Sequence, residues 1–165
     1  MTERVTEMAD KLKVIIKNTQ KEVKIQTGVR MLLRRCCHAV LENEGFKGSA
    51  ELQIDFMDNA CFEKASMECM GYVNNVEFFS VSCDDELNGV KKLGNVYMSV
   101  EKAYQKAESL NQSSQRRLAY LTAHGVLELL GYPVGVERNI TKNDKVEMAL
   151  VQLGLNARPN YYYFA

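Results

Sequence analysis

No apolar run in the 165 residues reaches the roughly 18 needed for a helix to cross a bilayer, so no transmembrane span is expected. The first ten residues mix charges and lack the apolar centre of a secretory signal. The five cysteines, at positions 36, 37, 61, 69 and 83, include no CxxC pair, which argues against a cysteine-rich zinc knuckle. Their odd count and irregular spacing also exclude a disulfide framework. Adjacent cysteines such as Cys36 and Cys37, within a helical pattern, do not bridge readily. Five small buried or half-buried thiols in a reducing, cytoplasmic setting are the expectation. Net charge is also missing: 21 Lys and Arg balance 21 Asp and Glu.

What is present reads as a globular chain. Apolar residues make up 46% and charged residues 25%, values that place it away from disordered sequences. Its length is that of one ordinary domain, and neither a repeat nor a linker interrupts it. A single domain over residues 1–165 is expected, with a core over about 10–155 and an aromatic tail at 156–165 that includes Tyr161, Tyr162, Tyr163 and Phe164. Charge is unevenly placed: residues 1–48 hold ten Lys/Arg against six Asp/Glu, and residues 49–101 hold three against ten. Residues 102–165 return to eight against five, a distribution compatible with a local RNA-binding face and also with ordinary solvated surface.

Along the chain, segment 11–17 (KLKVIIK) has the β-branched centre of a strand. Thr27 is placed to cap a helix with Val29, Leu32, Leu33, Cys36 and Val40 on its buried face and Gly45 at its end. The opposite face carries Arg30, Arg34 and His38 at successive i+4 steps beside Arg35. Such a stripe suits phosphates, and in many helices it is simply solvated. Leu52, Ile54 and Phe56 alternate with Gln53 and Asp55 as in a half-buried strand. Asp58 or Asn59 caps a short helix through Phe62, Ala65 and Cys69. Segment 77–82 is a further strand, 83–89 a loop, and 96–98 another strand. Ser99 caps a helix with Val100, Ala103, Tyr104, Ala107 and Leu110 on one face. A last helix starts near Lys142 with Val146, Ala149, Leu150 and Leu153 inward and Gly154 as its stop. The order predicts an α/β (α+β) fold, a mixed sheet of about four strands covered by helices.

Segment 115–131 (QRRLAYLTAHGVLELLG) concentrates the chemistry. Its second half is apolar nearly all round, so this helix should be central, with Gly131 and Pro133 ending it. His124 and Glu128 are i and i+4 and project from one face. A carboxylate on a buried helix needs a partner, and an imidazole and a carboxylate one turn apart suit a divalent metal. An H-x-x-x-E spacing also recurs by chance; on pattern alone a His–Glu hydrogen bond, or a Glu128 reaching solvent at the helix edge, is the plainer explanation.

The segment 124–132 (HGVLELLGY), preceded by 118–121 (LAYL), resembles the signature of the YbeY family, H-G-x-L-H-L-x-G-Y-D-H. Segment 93–99 (LGNVYMS), followed by Glu101 and Ala103, is similar to the family's L-G-D-I-x-I-S. Residues 65–81 align with its L-N-x-x-x-R-G-x-x-x-x-T-D-V-L-S-F stretch, where Gly71 and Ser80 match. The resemblance spans roughly residues 10–155. It implies a YbeY-like fold and a zinc-dependent single-strand endoribonuclease of ribosomal RNA maturation and ribosome quality control, with ribosomal RNA or the ribosome as partner.

The resemblance also implies which positions carry that chemistry. The family's three zinc-holding histidines fall on His124, Glu128 and Val134, with Pro133 in place of the aspartate. Its catalytic arginine falls on Met70, and Ser66, Val76 and Glu77 replace its Asn, Thr and Asp. Valine cannot ligate a metal and methionine offers no charged fork to a phosphate. Only His124 and Glu128 are then left as metal ligands, with Glu137 or Asp144 as a third if the loop after Pro133 folds back. Arg30, Arg34 and Arg35 are the candidate RNA contacts. The expected function is a YbeY-type protein with weak or no nuclease activity; the alternative is a non-catalytic RNA- or ribosome-binding relative.

Overall fold

The computed structural model describes residues 11–73, 76–134 and 140–155. The β-branched stretch near the start forms β1 (Leu12–Asn18), which pairs in parallel with β2 (Ser49–Met57), Val14 facing Leu52 and Ile16 facing Ile54. Parallel neighbours need a crossover, and α1 (Val29–Asn43) supplies it. Helix α2 (Asn59–Met70) follows, then β3 (Phe78–Ser82), the two-residue β4 (Glu86–Leu87) and β5 (Val90–Ser99). β5 lies parallel to β2 and takes β3 and β4 antiparallel on its other side. The sheet order is β1-β2-β5-β3, with β4 paired to β5. Three further helices follow among the described residues: α3 (Val100–Ser109), α4 (Ser114–Leu129) and α5 (Ile140–Gln152).

The α/β expectation holds, with five strands among the described residues rather than about four. The added strand lies inside the expected 83–89 loop. Asn88 (φ 54°) and Gly89 (φ 78°) make the left-handed pair that a two-residue hairpin demands. Two smaller expectations also change. Thr27 does not cap α1; Gly28, at φ 93°, holds the cap position with no side-chain hydrogen bond. On α2, Asp58 does cap, its carboxylate accepting from the Cys61 N–H at 2.8 Å. The buried face of α2 is Phe62 and Ser66, one turn apart, so Cys69 turns out to solvent. All five cysteines are free thiols; Cys36 and Cys37 are buried, Cys83 is half-buried, and Cys61 and Cys69 are exposed.

α4 is the element around which the rest is arranged, because it is buried on nearly every side: Leu118, Leu121, Val126 and Leu127 are fully covered. It packs against α1, α3, α5, β3 and β5. Gly125 lets it settle onto the sheet. A Cβ at that position would lie 2.7 and 2.8 Å from the two Val96 methyls and 3.3 Å from Ser80 Oγ. The Ser80 hydroxyl donates to the Gly125 carbonyl across this contact, at 3.2 Å. Alternation along β3 then separates two environments. Phe78 faces His124 of α4, while Phe79 turns to the other side, stacking on Tyr97 and packing against Phe62 of α2.

Candidate functional site

His124 lies mid-way along α4, fully buried, because the helix that carries it is covered from several sides. Tyr120, one turn earlier, meets its ring edge-on at 4.6 Å, and the Phe78 ring lies 6.3 Å away. Among the described residues neither ring nitrogen has a hydrogen-bond partner. Burial first, then the positive charges of Lys142 and Arg117, push its pKa down from 6.5 to about 3. The imidazole is therefore neutral at physiological pH.

Glu128 follows one turn later and is only 7% exposed. Its Oε2 accepts from Nζ of Lys142 at 2.7 Å, and Lys142 is completely buried. The same ammonium donates to the Pro133 carbonyl at 2.8 Å. Neither alternative weighed for the H-x-x-x-E spacing occurs: His124 does not bond Glu128, and Glu128 does not reach solvent. The carboxylate is neutralised by a lysine brought in by α5. Sequence reasoning missed that lysine as a site residue, although Lys142 stands four positions before Val146 on the apolar stripe of α5. A charge on an apolar stripe, matched by a lone carboxylate on an all-apolar helix, was the available signal.

A second buried pair joins the same helix to the segment before β3. Arg117, two turns before His124, donates through one guanidinium nitrogen to both carboxylate oxygens of Glu77, at 2.8 and 3.0 Å. Its Cζ lies 4.8 Å from the centre of the Tyr120 ring. Lys142 on α5 and Arg117 on α4 itself both act against a protonated His124.

A catalytic zinc site takes three protein ligands and an open position. The bare nitrogens of His124 suit a ligand. Glu128, however, is engaged by Lys142, and Val134, where the resemblance places the third ligand, is 83% exposed. Asp144 is exposed, and Glu137 lies outside the described residues. Among the described residues no group of three His, Cys, Asp or Glu side chains is placed to hold a metal ion. This donor set does not fit a zinc ion.

Met70 ends α2, which packs on β2, β5 and α3. Ser66, where the family has asparagine, is buried and donates to the Tyr72 carbonyl at 2.8 Å. Arg30, Arg34 and Arg35 are all exposed on α1. Arg35 and His38 also line a cavity of about 360 Å³ together with Gln152 and Leu153 at the end of α5. The aromatic tail at 156–165 lies outside the described residues. No helix among the described residues is long and apolar enough to cross a membrane.

Comparison with known proteins agrees with this architecture. The sequence profile of the family described as Endoribonuclease YbeY matches residues 15–152. The Endoribonuclease YbeY of Pelotomaculum thermopropionicum is 32% identical over 148 residues, covering 86% of this chain and 97% of the relative. That of Desulforamulus reducens is 29% identical over 150 residues, covering 87% of this chain and 98% of the relative. The solution structure of TM1509 from Thermotoga maritima superposes with a TM-score of 0.59 at 13% identity, over 85% of this chain and 88% of that one, a likeness of fold. A match that runs from within β1 to the end of α5, together with relatives covered almost end to end, leads to one conclusion: the chain belongs to the YbeY endoribonuclease family.

Proposed function

We propose that this chain is a single-domain cytoplasmic protein of ribosomal RNA maturation and ribosome quality control that binds RNA or the ribosome and has weak or no nuclease activity. The observation that carries this reading is the Glu128–Lys142 ion pair. Zinc-assisted hydrolysis lowers the pKa of a bound water towards ~7 and needs three ligands to hold the ion that does so. Here the second ligand position is a carboxylate neutralised by an ammonium, the third is a valine, and the family's arginine position is Met70. Without that arginine the site also lacks a charged fork for the phosphate in the transition state.

The family's RNA chemistry supports an RNA partner, and the exposed arginines Arg30, Arg34 and Arg35 on α1 are the residues we assign to phosphate contact. A second reading, a metal-dependent endoribonuclease with an altered ligand set, is favoured by the unpartnered nitrogens of His124. One experiment separates the two. Purified protein is incubated with single-stranded ribosomal RNA fragments, with and without chelator, and RNA binding and cleavage are read in parallel. Binding without chelator-sensitive cleavage is the expected result. Chelator-sensitive cleavage abolished by His124→Ala would establish the enzyme instead.

A further inference from the structure

The second half of α1 and the end of α5 enclose a cavity of about 360 Å³, within the roughly 300–1,000 Å³ of small-molecule sites. Arg35, His38, Glu42 and Asn43 reach it from one face of α1, being spaced at i, i+3, i+7 and i+8. Gln152 arrives from α5, and its amide exchanges two hydrogen bonds with that of Asn43. Asn43 Nδ2 donates to Gln152 Oε1 at 2.9 Å, and Gln152 Nε2 donates to Asn43 Oδ1 at 3.1 Å. Each amide keeps a second N–H and a second carbonyl lone pair for a ligand. Arg35, His38 and Glu42 are exposed and belong to none of the ion pairs among the described residues. The pocket thus presents a cation, a flat ring, a carboxylate and two amides whose bonding capacity is not exhausted.

The order of these groups along α1 sorts the parts of a ligand. Arg35 stands about 10 Å before Glu42 along the helix axis, at ~1.5 Å per residue. A guanidinium grips phosphate oxygens, and an imidazole ring offers a base a surface to stack on. Glu42, in the last turn, is an acceptor only, and the partial negative charge of a helix C-terminus adds to its own. That end repels phosphate and suits a base edge rich in donors. Guanine alone among the RNA bases has two adjacent donors on its Watson–Crick edge, N1–H and the N2 amino group, which match the two oxygens of a carboxylate. Its O6 and N7 acceptors remain for the amide N–H groups. We infer that this cavity is a guanine-nucleotide pocket, with Glu42 reading the base, Asn43 and Gln152 completing its edge contacts and Arg35 holding the phosphate. The inference rests on the reading of α1 as the RNA-contacting helix and adds a base preference that phosphate contacts cannot give.

The test measures binding of the full chain to single-stranded oligouridine and to the same strand with one central guanosine, adenosine or inosine, by fluorescence anisotropy. Free guanosine monophosphate is measured beside them by calorimetry. The guanosine strand should bind about tenfold more tightly than oligouridine or the adenosine strand, the discrimination of one bidentate base contact. Inosine, which lacks the N2 amino group, should lose most of that advantage. Glu42→Gln should abolish the preference for guanosine without weakening oligouridine binding, because it replaces one acceptor oxygen with a donor. Arg35→Ala should weaken every strand alike. A strand that binds more tightly than the free nucleotide identifies RNA as the source of the guanine; the reverse identifies a free nucleotide.

Both substituted side chains are exposed, so each variant should unfold at the wild-type temperature. Equal affinity for all strands, or a guanosine preference that survives Glu42→Gln, overturns the pocket and leaves the proposed RNA binding standing. If no strand binds, the proposed function fails, and the nucleotide alone then decides the pocket. Binding of guanosine monophosphate that is lost in Glu42→Gln sustains it, and the absence of such binding overturns it.

Discussion

His124 is the residue whose environment is most demanding. Its pKa is lowered from 6.5 to about 3, chiefly by burial and then by Lys142 and Arg117. Between about pH 6.5 and about 3 the unfolded chain therefore binds a proton that the folded chain refuses. The contribution to stability is fully present above the upper limit and is lost as pH falls through the window. Replacing His124 with phenylalanine should make the fall in stability on acidification shallower by about one proton per molecule. Urea midpoints from pH 7 to pH 4.5 measure this, and an unchanged slope would show that His124 is not held neutral. The histidine and its i+4 glutamate were legible in the sequence as a polar pair on a buried face. Their partner was not, because Lys142 reaches Glu128 across 14 residues and a turn, a contact no local spacing encodes. The Arg117–Glu77 pair was hidden for the same reason, its members being 40 residues apart.

At the level of elements, α4 owes its central place to one small residue. Ala is normally better than Gly inside a helix by about 1 kcal/mol. At position 125, however, a Cβ would meet both methyls of the buried, β-branched Val96 at under 3 Å. Overpacking of that kind costs roughly 1–3 kcal/mol, so Gly125→Ala should destabilise despite its helix propensity. Adding Val96→Ala should recover part of the loss. Thermal unfolding of the three variants decides it, and a stabilised Gly125→Ala would mean that α4 does not seat on β5 as described. Periodicity made α1, α3 and α5 readable, since each has an apolar stripe, and α4 was readable because it is apolar nearly all round. It misplaced the inward side of α2, where a serine rather than an apolar residue completes the buried face with Phe62. The β4 hairpin was passed over as a polar loop, although its Asn88-Gly89 pair carried the turn chemistry.

For the whole molecule, the α1 arginines are exposed while His124 is buried on a different helix, so RNA binding and metal chemistry can be tested by separate substitutions. Changing Arg30, Arg34 and Arg35 together to glutamate should weaken single-stranded RNA binding strongly. It should also reduce the slope of log affinity against log salt by about 2, at ~0.7 per phosphate contact. Fluorescence anisotropy at several salt concentrations reads both, and an unchanged slope would move the RNA contact elsewhere. Rebuilding the family's ligand set with Glu128→His, Pro133→Asp and Val134→His tests the site in the opposite direction. In the presence of Lys142 the triple replacement should take up zinc poorly, and with Lys142→Ala added it should bind well. Met70→Arg should then assist cleavage. The family was legible because the apolar and glycine positions that shape α4 and β5 are retained. The activity was not, because it depends on a few polar positions that differ and on a lysine distant in sequence.

The most direct test of the ion pair in place of a metal centre is the metal content of the purified wild-type chain, measured by mass spectrometry alongside an RNA cleavage assay. The expected result is far less than one zinc per chain and no cleavage that responds to chelator. About one tightly bound zinc per chain, with chelator-sensitive cleavage lost in His124→Ala, would contradict it.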